Sequence, residues 1–176
     1  MRIIVLAIAV LLTGSAAFAA TDGGALRAAA EGFYRVYGTF HPSDGIPDDE
    51  DLAKYRPFLS PKLDLLLQQA GAVEARFAAA NKGAPPLIEG DLFSSLFEGA
   101  TSVSVAACTA AGERGQCTAD LRYDEAGQKP AAWTDTVYLV NTPQGWRVDD
   151  IGYGGTWPFG NKGRLSTLLG QAIHFQ

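Results

Sequence analysis

Apolar residues fall at three- and four-residue steps in the first half of the chain and at two-residue steps after Pro86. From Thr21 or Asp22, which offer an N-cap, Leu26, Ala30, Phe33, Tyr37 and Phe40 make one stripe. That spacing predicts a helix of roughly four turns, with Gly38 and His41-Pro42 marking its end. The acidic run Asp48-Asp49-Glu50-Asp51 predicts the start of a short helix through Leu52, Tyr55 and Phe58, because negative charge is favoured at the positive end of the helix dipole. Ser60-Pro61 reads as N-cap and first-turn proline of a helix carrying Leu63, Leu66, Leu67, Ala70, Val73 and Phe77. Asn81-Lys82-Gly83 ends it, and Pro85-Pro86 cannot continue it.

Segments 103–108, 117–123, 133–140 and 146–151 are rich in β-branched and aromatic residues and are separated by Gly, Pro, Asp and Asn. They predict an antiparallel meander, followed by a short closing helix over 164–172. Helices first and consecutive strands second is an α+β pattern, with the N-terminal helices packed on one face of an antiparallel sheet. Segment 87–101 is unusually apolar for a loop, and Leu92, Phe93, Leu96 and Phe97 are expected to cover the sheet or its mouth.

The turn Thr142-Pro143-Gln144-Gly145 sets a register for the last hairpin. Carried outward without interruption, it pairs Leu139 with Val148, Val137 with Asp150 and Asp135 with Gly152. Trp133, Asp135, Val137, Leu139, Trp146, Val148 and Asp150 then share the inward face, and the two carboxylates sit in one cavity as diagonal neighbours. Burial and mutual repulsion would raise both pKa values and make an acid and base pair. The competing expectation is structural: each Asp caps a helix, bonds backbone amides or pairs with an Arg. A one-residue change of register removes the pairing. In the preceding hairpin neither face is cleanly apolar when Cys108 is placed opposite Cys117, which calls for a bulge or a curved sheet.

Composition adds limits. The chain has 176 residues, 14 Lys plus Arg against 19 Asp plus Glu, and a net charge of −5, a balance that argues against nucleic acid as a partner. Residues 1–20 pair a basic start with an apolar run over 3–12 and the small-residue end Ala17-Phe18-Ala19-Ala20. This is the pattern of a secretory signal peptide, with cleavage preferred after Ala19, and its apolar core is too short to span a bilayer. The expected mature protein is one domain over 21–176, periplasmic or secreted, with no integral membrane segment. In that oxidising setting Cys108 and Cys117 are expected to form a disulfide stapling a hairpin.

Other signals are bland. Gly152-Tyr153-Gly154-Gly155 and Gly160-Asn161-Lys162-Gly163 lack the spacing and the Ser or Thr of a phosphate-binding loop. The acidic run lacks the alternation of a calcium loop, and His41 and His174 lie too far apart in sequence to complete a zinc site with the cysteines. No metal or cofactor is expected, and no nucleophile motif occurs.

The stretches Phe33-Tyr34-Arg35-Val36-Tyr37, Tyr55-Arg56-Pro57-Phe58-Leu59-Ser60-Pro61-Lys62-Leu63, Glu89-Gly90-Asp91-Leu92-Phe93 and Gly145-Trp146-Arg147-Val148-Asp149-Asp150-Ile151, in this order, resemble an exported bacterial family. It is the domain of unknown function numbered thirty-eight twenty-eight, in the cystatin-like, nuclear-transport-factor-two-like superfamily. The resemblance implies a curved sheet wrapped around helices as a cone with a cavity at its open end. That superfamily holds isomerase- and dehydratase-like enzymes as well as binding domains, so the fold leaves activity open.

Three readings follow. The first is an exported, non-catalytic domain that binds a small apolar ligand or a protein partner, with Tyr34, Asp91, Trp133, Asp135, Trp146 and Asp150 as candidate binding residues. The second is a proton-transfer enzyme using Asp135 and Asp150 as base and acid. The third is an inhibitor or immunity-type protein that blocks a partner with loops 89–98 or 152–163. An exposed aromatic patch near Trp157 and Phe159 would favour a protein partner.

Overall fold

The structure is a computed structural model and describes residues 15–39 and 45–175. The apolar core of the expected signal peptide, Phe40 and His41-Pro42 lie outside the described residues.

Helix α1 spans Ser15–Thr39 and runs through Thr21 and Asp22, so neither caps it. The Ala-rich stretch before them is strong helix-forming sequence and extends the helix backward. Its stripe is as the spacing predicts: Leu26, Ala30, Phe33 and Tyr37 are fully buried. Helix α2, Asp49–Tyr55, is capped by Asp48, whose carboxylate accepts from the amides of Glu50 and Asp51. One 3-10 turn, Arg56–Phe58, leads into α3, Pro61–Ala80. Ser60 caps α3 by accepting from Leu63 N, and Leu63, Leu67 and Ala70 are its buried residues.

Four strands follow, β1 Ser102–Ala111, β2 Arg114–Tyr123, β3 Ala131–Thr142 and β4 Gly145–Gly152, in one antiparallel sheet ordered as in the sequence. The fold is α+β. Helix α1 packs against this sheet, chiefly along β1 and β4. Helix α4, Leu165–Ile173, closes the chain against α3 and β4.

Two bulges set the register. In β1 the pairing shifts between Val105 and Cys108, so Val103 lies opposite Leu121 and Val105 opposite Ala119 while Cys108 still faces Cys117. That shift resolves the mixed faces of the first hairpin by aligning its apolar residues. Cys108 and Cys117 are disulfide-bonded across the pair, as expected. Arg27 of α1 donates to the carbonyls of Val105 and Ala106 at the bulge, meeting backbone acceptors that the shift frees from the ladder.

The second bulge is at Asp149. Leu139 pairs with Val148, but the next pairs are Tyr138 with Asp150 and Val137 with Ile151. The outer edge of β4 is covered: Leu59 bridges Val148 in parallel, and Ser60 N donates to Val148 O at 2.8 Å. The extra residue, Asp149, accepts from Ser60 Oγ at 2.6 Å and lies 3.5 Å from Lys62 Nζ.

Candidate functional site

The register change separates the two carboxylates that an unbroken hairpin would bring together. Ile151 takes the inward place opposite Val137, and Asp150 moves to the face of Tyr138. This corrects the expectation of a shared Asp135–Asp150 cavity. Trp146 is also apart from Trp133, because it pairs with Asn141 at the turn end of the hairpin, eight residues along β3 and so about 26 Å away at strand rise.

Asp150 serves α4. Its carboxylate accepts from Ser166 N at 2.9 Å, Ser166 Oγ at 2.7 Å and Ile151 N at 3.0 Å, and pairs with Arg164 at 3.4 Å. Arg164 also lies 3.8 Å over the Tyr138 ring. A carboxylate at the first turn of a helix satisfies free amides and complements the dipole, so Asp150 ties α4 to the sheet.

Asp135 sits on the inward face, 1% exposed, with four donors converging on it. Ser95 N donates at 2.9 Å, Gly154 N at 2.8 Å and Trp133 Nε1 at 3.1 Å, and the Ser95 hydroxyl donates as well. A buried carboxylate needs several donors to remain in place. These are the backbone-binding and helix-capping roles set out as the structural alternative for the two acids.

Apart from the Trp133 indole of β3, the donors to Asp135 come from two segments that close the end of the sheet. The first, 88–100, is a plug: residues 90–96 are buried without a break, and Phe93 packs against Phe33 and Tyr55 with ring centroids 5.2 Å and 4.9 Å away. The second is a strap over 153–163 that lies across the plug. Asn161 donates its side-chain amide to Asp91 O and Ser94 O, Tyr153 donates to Leu92 O, and Asn161 N to Ser95 O. Gly154 has no room for a side chain, since a Cβ there would collide with the Thr134 carbonyl.

Within the plug, Asp91 accepts from Tyr37 OH at 2.8 Å and Phe93 N at 2.7 Å, and the Tyr37 oxygen accepts from Ala100 N at 2.7 Å. Burial pushes the Asp91 carboxyl up to about 7, outweighing the hydrogen bonds that favour its charged form. Gly99 permits this cluster: it has a φ of +83°, and a Cβ would lie 2.6 Å from Asp91 Oδ2. Tyr34 lies beside both acids, its hydroxyl raised by burial and then by the charges of Asp135 and Asp91. That hydroxyl has no hydrogen-bond partner among the described residues.

The open feature lies above this layer. A cleft of about 730 Å³ is lined by Leu96, Phe97 and their neighbours Glu89 and Glu98, by Tyr123, by 128–131 after β2, and by Trp157, Pro158, Phe159 and Gly160 of the strap. Phe159 is 88% exposed and Phe97 42%. Trp157 is half-buried because its ring meets Trp133 edge-on at 5.1 Å. Tyr34, Asp91, Trp133 and Asp135 thus gather beneath the cleft and support it, and none of the six candidate residues lines it. Tyr123 and 128–131 were not legible as cleft residues, since nothing local marks a strand end as one wall of a groove. Of the aromatic patch expected around Trp157 and Phe159, Phe159 is exposed but Trp157 is half-buried against Trp133, and both line the cleft rather than form a broad exposed surface; loop 89–98 is largely interior rather than protruding.

Among the described residues no group of three or more His, Cys, Asp or Glu side chains could hold a metal ion, and no helix is long and apolar enough to cross a membrane.

No family model matches the chain, and no curated protein matches it. Two solved structures are similar in part. A SEC-C motif-containing protein from Rhodopseudomonas palustris is 14% identical, with a TM-score of 0.42 over 77% of this chain and 84% of that one. A protein of unknown function from Bacteroides thetaiotaomicron is 17% identical, with a TM-score of 0.35 over 78% of this chain and 92% of that one. At these scores neither likeness assigns a fold or an activity to the chain.

Proposed function

We propose that the protein is an exported, non-catalytic binding domain that takes an apolar ligand in the cleft between plug and strap. The observation that carries this reading is the pair of phenylalanines, Phe97 and Phe159, left in solvent at the rim of an aromatic-lined groove. Contiguous exposed apolar surface is costly to keep unless something binds it. Export rests on the sequence pattern of residues 1–20, and the disulfide is in keeping with an oxidising compartment. The short motifs that resemble the exported family numbered thirty-eight twenty-eight are consistent with that reading. Under that resemblance the plug lies inside the cone, and the cleft is at its mouth.

Proton transfer has less support. Asp135 is fully engaged by donors, Asp150 belongs to α4, and neither reaches the cleft. A blocking role for loop 89–98 is disfavoured by the burial of 90–96.

Titration of the purified chain with the neutral fluorophore 1-N-phenylnaphthylamine tests the reading. Saturable binding is expected, with emission excited through Trp157, and Phe159→Ala should weaken it about tenfold while leaving the melting temperature within about 2 °C. Equal binding to the variant, or none to either protein, overturns the assignment of the cleft.

A further inference from the structure

The walls of the cleft differ in character from its rim charges. Four rings, Phe97, Tyr123, Trp157 and Phe159, line it, and an aromatic face presents negative charge density to a ligand. Two carboxylates, Glu89 and Glu98, line it as well, both exposed. Neither makes a hydrogen bond or ion pair among the described residues, in contrast to Asp51, Asp64, Asp149 and Asp150, each held by a Lys or Arg. A third, Glu125, stands beside the Tyr123 ring and accepts from its hydroxyl at 3.3 Å. The charges of Glu125 and Glu98 both bear on that hydroxyl and push its pKa up, after the effect of burial.

Against them stands Lys129, the one cation of the lining, which also has no ion-pair partner among the described residues. Uncommitted carboxylates therefore outnumber the cation among the lining residues, and they share the cleft with four rings. An anion would meet both repulsive elements, and a neutral ligand would use the rings but leave the charges idle. A ligand carrying a positive charge on an apolar body would use both.

We infer that the cleft selects organic cations, a quaternary or protonated ammonium joined to an apolar or aromatic group, with the charge held on the Glu89 and Glu98 side and the apolar body against Trp157 and Phe159. This rests on the cleft being the binding site, as proposed above.

Direct binding of three ligands of similar shape tests it: benzyltrimethylammonium, its neutral carbon isostere neopentylbenzene, and the anion benzenesulfonate, each followed by tryptophan fluorescence and by NMR shifts of the intact chain. The cation is expected to bind about tenfold more tightly than the isostere, with the anion weakest. The double variant Glu89→Gln and Glu98→Gln, on exposed positions, should remove that preference while keeping the affinity for neopentylbenzene, and Lys129→Gln should enlarge it. Binding of neopentylbenzene as tight as that of the cation, or a preference unmoved by the Glu variants, overturns the inference and leaves an apolar cleft. Failure of all three ligands to bind overturns both it and the reading it rests on.

Discussion

At one end of the sheet, two layers of similar residue types behave in opposite ways. In the lower layer Asp91, Asp135 and Ser95 are enclosed and Asn161 is half-buried, and each is bonded within the fold. In the upper layer Glu89, Glu98, Phe97 and Phe159 face solvent, and the carboxylates have no partner in the described chain. The difference teaches where to look for binding. A buried carboxylate attracts attention as a catalytic candidate, but the donors to Asp135 are all spent holding segments together, whereas groups with unused valence sit in the open cleft above. In this molecule Asp91 and Asp135 are fasteners for the plug and the strap, which in turn form the cleft walls.

The largest expected effect comes from breaking the lower layer. Asp135→Ala removes the acceptor of two backbone amides, a hydroxyl and an indole N–H. Each buried donor left unsatisfied costs about 1 to 3 kcal/mol, so after relaxation a loss of about 5 kcal/mol is expected by urea denaturation. Both cleft walls should loosen with it, because Ser95 and Gly154 belong to the plug and the strap. Asp135→Asn keeps one acceptor oxygen and should retain a cooperative transition. A loss below 1 kcal/mol for the alanine variant would mean that the layers do not depend on each other.

Asp91 offers a reversible way to weaken the same layer. Its native carboxyl titrates at about 7 against an ordinary 3.8, so between those values the folded chain holds a proton that the unfolded chain has released. Stability from this group is therefore complete below about pH 4, falls as pH rises towards 7 and levels off above it. A difference of about three pKa units is worth about 4 kcal/mol. Asp91→Asn, whose amide can accept from Phe93 N and donate to the Tyr37 oxygen, should not show that fall. Urea midpoints of the two proteins at pH 4.5 and pH 8 check this: the wild type should lose about 3 kcal/mol relative to the variant, since part of the effect is already spent between pH 4 and 4.5. Parallel pH profiles would remove the buried acid from the account.

The sequence carried the elements well where local physics decides them. Ser60-Pro61, the acidic cap of α2 and the Leu26-to-Tyr37 stripe each act within one or two turns, and each stands where the spacing puts it. Interruptions of the two-residue period were harder. The mixed faces of the first hairpin announced a bulge because unbroken pairing wasted apolar residues, and Val105 to Cys108 supplies it. The second hairpin gave no such warning: unbroken pairing already looked amphipathic, and the bulge at Asp149 arises from contacts with Ser60 and the covered edge of β4, nearly ninety residues away in the chain. Of the six residues expected to bind, Tyr34, Asp91, Trp133 and Asp135 lie together beneath the cleft without lining it, and the bulge turns Asp150 to the other face. Tyr123 and 128–131 gain their place only because the strap folds back over them.

Tyr34 gives the smallest expected effect and sharpens the contrast between the layers most finely. It lies in the lower layer, yet its hydroxyl behaves like an upper-layer group in finding no partner among the described residues. Its ring packs edge-on against Phe33 at 5.2 Å and Tyr37 at 5.9 Å, so the apolar part is well used and only the oxygen is unsatisfied. A buried polar group without a partner costs more than it returns. Tyr34→Phe keeps the ring contacts and removes the oxygen, and should raise stability by about 1 kcal/mol in urea, with ligand affinity in the cleft unchanged because Tyr34 does not line it. A loss of 1 kcal/mol or more would mean that the hydroxyl is bonded in solution, and would move Tyr34 among the fasteners with Asp91 and Asp135.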